Sequence, residues 1–234
     1  MNTSPFSKNN SELYVIKSFK NLLSAIAICY QKSLLDNISF EKEIDGKSNK
    51  LENQIRNRLV DEYLEDPILG EELNLMLYTF TAEAAVIEKG KEKGYIDVKI
   101  CISPISNINK KDYFVFECKN LDGESYLNSE YVKEGIHRFV NEKYPTNLGR
   151  NGMLGFIVKS CDVEKNTGKI NNLINKSGTN TVIIEVRNNT SITLTKTNIL
   201  QGFDFSYVSN HQTLDKQKEF ELHHLMLDYS QNIV

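Results

Sequence analysis

Three charged side chains stand in strand-like sequence where charge is costly. In GYIDVKI, Asp97 and Lys99 point to one face of an extended segment while Ile96, Val98 and Ile100 point to the other. In YFVFECKNLD, Glu117 and Lys119 share a face with Val115, and Phe114, Phe116 and Cys118 take the opposite one. A carboxylate or an ammonium in so apolar a strand costs several kcal/mol unless it is paired or binds a metal. Neighbouring strands would let Asp97, Glu117 and Lys119 converge. Two carboxylates at the ends of adjoining strands make a hard oxygen site suited to Mg²⁺ or Mn²⁺. A lysine two residues beyond one of them reaches the same side, where it can position or help deprotonate an attacking water, or neutralise a phosphate. The chemistry within reach of this set is metal-assisted phosphodiester hydrolysis; the plainer alternative is a salt bridge on a sheet face.

The elements that must position these residues follow from hydrophobic periodicity. From Glu12 to about Leu35, Leu13, Ile16, Phe19, Leu23, Ile26 and Tyr30 recur at helical spacing behind a polar, frayed start. SFEKEIDGKSNK is turn-rich. A second helix begins near Ser48 or Asn49, turns Ile55, Leu59, Tyr63 and Leu64 inward, and stops before Pro67. Leu75 to Ile87, Tyr95 to Ile102 and Tyr113 to Lys119 read as three strands whose short connections favour antiparallel neighbours. Ser129 to Tyr144 returns to helical periodicity, with Val132, Ile136, Phe139 and Val140 on one side. There follow a strand GMLGFIVKS, a polar helix around Glu164 to Lys176, a strand pair TVIIEVR and SITLTK, and a terminal helix near Lys216 to Tyr229. The expected class is α/β, a mixed central sheet with helices on both sides.

With these elements in place, the chain resembles the PD-(D/E)XK nuclease superfamily, the restriction endonuclease-like fold. The resemblance rests on GYID with Asp97, on FVFECK with Glu117 and Lys119, and on a core order of helix, three strands, helix and strand between about Leu51 and Lys159. A proline immediately before the aspartate is replaced by Tyr95-Ile96. The resemblance implies that Asp97 and Glu117 bind Mg²⁺ with help from the Cys118 carbonyl, that Lys119 orients or activates water, and that an upstream helical glutamate joins them. Glu52 fits that last part, with Glu62 and Glu83 as competitors. The implied activity is Mg²⁺-dependent DNA cleavage. A Y-x-x-x-G-x-x-R-F pattern in the helix after the motif is similar to that of bacterial proteins tied to phage defence or restriction.

In that helix Tyr131, Gly135 and Arg138 form one stripe that can border the metal site or a phosphate, or else pack on a neighbouring helix. Gly135 suggests close approach of backbone or substrate, since glycine costs roughly 1 kcal/mol against alanine inside a helix. Arg56 lies four residues after Glu52, either as its surface partner or as a phosphate ligand. Lys89, Lys91 and Lys93 in KGKEKG form a charged turn, solvated or in contact with a DNA backbone.

The 234 residues suit one domain: a helix and linker over 1–47 packed on the core, a catalytic core over 51–159 and a C-terminal elaboration over 160–234. With 28 basic against 31 acidic residues, the chain is unsuited to coating nucleic acid non-specifically. Cys29, Cys101, Cys118 and Cys161 form no zinc-like spacing, and His137, His211, His223 and His224 are too few and too poorly spaced for a histidine metal site. A phosphate-binding P-loop, a dinucleotide fingerprint and a G-x-S-x-G elbow are all missing. No apolar run approaches bilayer length, so the expected location is cytoplasmic, with no membrane partner. DNA is the expected partner, with specificity supplied by loops, by homodimerisation or by a partner subunit. The competing readings are a non-catalytic nuclease-like assembly or nucleic-acid-binding protein, and a nuclease acting on RNA.

Overall fold

The computed structural model describes residues 5–42, 49–88, 90–103, 105–144, 146–175, 192–215 and 218–234. Helix α1 (Pro5–Leu35) opens with a proline, which has no N–H to lose in a first turn. Next come α2 (Asn49–Leu59), continued by a π-helical turn (Val60–Leu64), and α3 (Pro67–Glu72), capped by Asp66, whose side chain accepts from the Leu69 N–H. The strands β1 (Tyr78–Glu88), β2 (Lys91–Ile102) and β3 (Tyr113–Leu121) form the antiparallel meander, with the short α4 (Ile105–Ile108) between the last two. One helical run then crosses over: α5 (Ser125–Glu130), a π-helical segment (Tyr131–Ile136) and α6 (His137–Val140). It delivers the chain to β4 (Arg150–Ile157), parallel to β3. The remainder is α7 (Val163–Ile174), β5 (Thr195–Thr197), β6 (Ser206–Gln212) and β7 (Glu219–Asp228).

Among the described residues, seven strands form one mixed sheet in the order β1-β2-β3-β4-β7-β6-β5. Alternation along β2 and β3 sends Val98, Ile100, Phe114 and Phe116 into a core with Phe19, Leu23 and Ile26 of α1 and Ile55 and Leu59 of α2. The opposite face buries Tyr113, Val115, Met153 and Met226 against Val132, Ile136 and Phe139 of the crossover and Ile170 of α7. Helices therefore cover both faces, and the α/β class with a mixed central sheet holds.

Three expectations change. The segment expected as a terminal helix is β7, paired with β4 on one side and β6 on the other. In the sheet interior Leu222 and residues 224–227 are all buried, so neither period is visible and a buried strand resembles a buried helix. The basic turn is shorter than expected, because β1 runs to Glu88 and β2 resumes at Lys91; Lys91 and Lys93 are strand residues and Lys89 lies outside the described residues. Glu12–Leu35 is, by length and composition, apolar enough to cross a bilayer, contrary to expectation, yet its buried side chains are a core face set against the sheet. The expected strand TVIIEVR lies outside the described residues, and of SITLTK only Thr195 and Lys196 fall in β5.

Candidate active site

Strands β2 and β3 are in register with Val98 opposite Phe116, so the next pair along is Asp97 with Glu117. At that point the Cys118 N–H donates to the Asp97 Oδ2 at 2.7 Å. Lys119, two residues on, returns to the same face. Its Nζ lies 3.1 Å from Glu117 Oε1, 3.2 Å from Glu52 Oε1 and 3.8 Å from Asp97 Oδ2, and it donates to the Cys118 carbonyl oxygen at 2.6 Å. Four oxygens from α2, β2 and β3 thus face one ammonium.

Each side chain has a structural reason to be there. Leu51 and Ile55 anchor α2 in the first core, which places Glu52 and Arg56, one position further on, at the end of β3. Glu52 Oε2 also accepts the Asn120 N–H at 3.2 Å. Burial raises the Glu52 pKa, and Lys119 opposes that shift. Glu117 is wholly buried, which would be prohibitive without partners. Its partners are Lys119, the Arg138 guanidinium and the Tyr144 hydroxyl, the last two in short contacts. Burial and then the Asp97 charge still push its carboxyl up to about 7. Burial alone would lower the Lys119 pKa, but Glu117, Glu52 and Asp97 together hold it above its ordinary value.

Two guanidinium groups flank this centre. Arg56 is 2% exposed; its Nε and Nη2 donate to Asn57 Oδ1 at 3.0 and 2.9 Å, while Nη2 lies 2.8 Å from Glu83 Oε1 and Nη1 3.7 Å from Asp97 Oδ1. It pairs with Glu83 and Asp97, in place of the expected Glu52. Glu83 itself has φ 51°, a left-handed conformation inside β1 that costs a side-chain-bearing residue roughly 1–2 kcal/mol. On the other flank Arg138 reaches Glu117 and, at 3.2 Å, Glu134. Glu62, the other competitor, pairs with Arg58 on an exposed face. The arrangement opens into a pocket of about 500 Å³ lined by Glu52, Arg56, Glu83, Asp97, Lys119 and Arg138, among others. A cavity of about 600 Å³ at the other end of the sheet is larger, but its Arg150 and Glu221 neutralise each other.

Of the expected stripe, only Arg138 arrives at the acids. Tyr131 is wholly buried and its hydroxyl bonds to His224 Nδ1 at 2.8 Å, away from them. The π-helical segment is the cause. Its wider turns rotate the residues beyond it relative to an ideal α-helix, so Tyr131 and Arg138 do not share a face. Gly135 has its close approach: a Cβ there would collide with the Met153 methyl and sit 3.6 Å from Lys119 Cγ. Tyr144 and the Asn120 N–H were missed. Tyr144, the last residue of the expected helical segment, lies beyond the end of α6 at Val140 and outside the stripe that the spacing suggested, and a backbone donor carries no sequence signal.

The donor set fits a hard divalent cation, since three carboxylates and a carbonyl oxygen converge on a single positive charge. Among the described residues no three His, Cys, Asp or Glu side chains stand in ligating geometry; the carboxylates rest on Arg56, Lys119 and Arg138 instead. No protein-family model matches the chain, and no curated protein and no solved structure matches it.

Proposed function

We propose that the chain is a divalent-metal-dependent nuclease that hydrolyses DNA phosphodiester bonds, with the core and site of the PD-(D/E)XK nucleases. One observation carries this reading: Glu52, Asp97, Glu117 and the Cys118 carbonyl face one cationic point at the head of an open pocket. The order of α2, β1, β2, β3, crossover helix and β4 supports it, as does the cost of burying Glu117, which serves no packing purpose.

Asp97, Glu117, Glu52 and the Cys118 carbonyl oxygen would hold Mg²⁺ or Mn²⁺. When bound, that ion supplies Lewis-acid polarisation of the phosphoryl oxygen and a lowered pKa for the attacking water. The remaining work belongs to the chain. Lys119 is kept protonated by its carboxylate neighbours, so it orients the water and offsets charge developing on the phosphate. Arg138 and Arg56, on either side, supply forked donors matched to phosphate oxygens. Tyr144 fixes the Glu117 carboxylate by donating to the oxygen that Arg138 and Lys119 leave. Tyr131 has no part.

A second reading, a nuclease-like protein that binds or assembles without cleaving, draws on the same geometry, because every carboxylate of the centre already has an internal cation. Incubation of the purified protein with supercoiled, linear and single-stranded DNA and with RNA, each with Mg²⁺, Mn²⁺ or EDTA, separates the readings. The expected result is metal-dependent DNA cleavage that Asp97→Asn abolishes. Cleavage of RNA alone would move the substrate class. Absence of cleavage, together with a melting temperature indifferent to Mg²⁺ and Mn²⁺, would favour the non-catalytic protein.

A further inference from the structure

Glu83 is left unexplained by the catalytic assignment. On either side of it β1 and β2 are in register, Ala82 with Val98 and Ala84 with Ile96, yet Glu83 turns into left-handed backbone opposite Asp97. The turn directs its carboxylate onto Arg56. As a stabilising contact this is poor design: Glu83 is 56% exposed, and a pair with one exposed partner contributes too little to offset the backbone conformation that makes it. The partners of Arg56 are also unequal. Asn57 is its sequence neighbour; Asp97 and Glu83 both line the pocket, but Asp97 is only 14% exposed and Glu83 is 56% exposed. Glu83 is therefore the partner of Arg56 that an entering anion can replace. A phosphate oxygen offers the guanidinium the same charge and the same forked geometry.

We infer that Glu83 is a displaceable internal anion: it occupies on Arg56 the position of a substrate phosphate and leaves when that phosphate enters. The identification of the ligand as a phosphodiester rests on the nuclease reading; the displacement itself does not. In the free protein Glu83 keeps a buried guanidinium partnered, and on binding its backbone can relax into the strand. Affinity is then set by competition between an internal carboxylate and an external phosphate.

Inorganic phosphate tests the displacement without any call on catalysis. With the full chain in EDTA at low salt, phosphate should raise the melting temperature of Glu83→Gln clearly more than that of wild type. The double variant Glu83→Gln/Arg56→Gln should lose that gain. Glu83→Asn, neutral and tolerant of positive φ, should behave like Glu83→Gln and answers for it if the glutamine variant does not fold. Under the same conditions a labelled DNA duplex should bind Glu83→Gln roughly 3- to 10-fold more tightly than wild type, and Glu130→Gln, an equal charge change at the same pocket, should gain less. Equal phosphate responses of wild type and both Glu83 variants would overturn the proposal. So would a gain that survives loss of Arg56, which would reduce Glu83 to general repulsion. A gain for phosphate with none for DNA would uphold displacement and reject the nucleic-acid substrate.

Discussion

Glu117 and His224 are both wholly buried beneath the same helical crossover, one on β3 and the other on β7, and each meets a tyrosine hydroxyl, Tyr144 and Tyr131 respectively. Beyond that the two surroundings diverge. His224 belongs to a neutral chain: Tyr131 can donate to His224 Nδ1, His224 Nε2 to Ser209 at 2.7 Å, and Ser209 to His211 Nε2 at 2.6 Å. Burial lowers the His211 pKa to about 4 and holds that of His224 well below its ordinary value, so the chain stays uncharged. Glu117 belongs to a set of carboxylates interleaved with Lys119, Arg138 and Arg56, and that set opens on a pocket. The neutral network ties strands to a helix and brings no charge into the core, although it ends on a buried His211 Nδ1 that has no hydrogen-bond partner among the described residues. An open charged one burdens the fold, and such burdens are retained where a ligand uses them.

The sharpest way to break this contrast is Lys119→Ala. We expect metal-dependent cleavage to fall by at least ~10²-fold, with metal affinity unchanged or raised because the competing ammonium is gone. Near-normal turnover in the folded variant would put the charged network in the same structural class as the histidine chain.

Glu117→Gln should separate stability from function. Because the folded-state pKa of Glu117 is raised, the native protein holds a proton that the unfolded chain releases, and wild-type stability falls through this group as pH rises from about 4.5 to about 7. The variant should lack cleavage, yet lose less melting temperature between pH 5 and pH 8 than wild type does. An equal loss in both proteins would remove the burial cost from the argument.

The histidine chain has the opposite sign. Depressed folded-state pKa values mean that the unfolded chain takes up protons first, so the stability these groups contribute is present above about pH 6.5 and is lost as pH falls toward 4. The histidine contribution falls with acidification over that range, opposite to that of Glu117, so His211→Gln should lose less melting temperature than wild type between pH 6.5 and pH 4, without altering cleavage at pH 8. A change in turnover there would make the second network functional after all.

The smallest effect is expected at Arg138→Ala, where the guanidinium is one-quarter exposed. DNA affinity should weaken by roughly 3- to 10-fold at low salt and by less at high salt. A lowered melting temperature with unchanged affinity would make Arg138 a counter-ion for Glu117 alone.

What could be read from the chain tracks the two networks. Asp97, Glu117, Lys119 and Glu52 announced themselves because charge is conspicuous in otherwise apolar or amphipathic sequence, and the meander that holds the first three has short turns. His224 did not, because burial on both faces of β7 erases periodicity and the strand passed for a helix, and His211 did not, because the polar β6 read as a loop. Tyr131 was placed beside Arg138 by an ideal helical spacing that the π-helical segment breaks. Glu83 looked like a spare ligand, since a positive φ leaves no mark in composition.

The position of β7 bears on how the protein is made. β4 pairs with β3 on one side and with β7 on the other, yet α7, β5 and β6 all emerge from the ribosome before β7 does. For that interval the nascent meander, with the acids already in register, ends in an unpaired hydrophobic strand edge, a template for other chains. The sheet closes late, through a contact distant in sequence, and such contacts form slowly. Solubility during synthesis thus depends on the speed with which the last strand reaches the middle of the sheet.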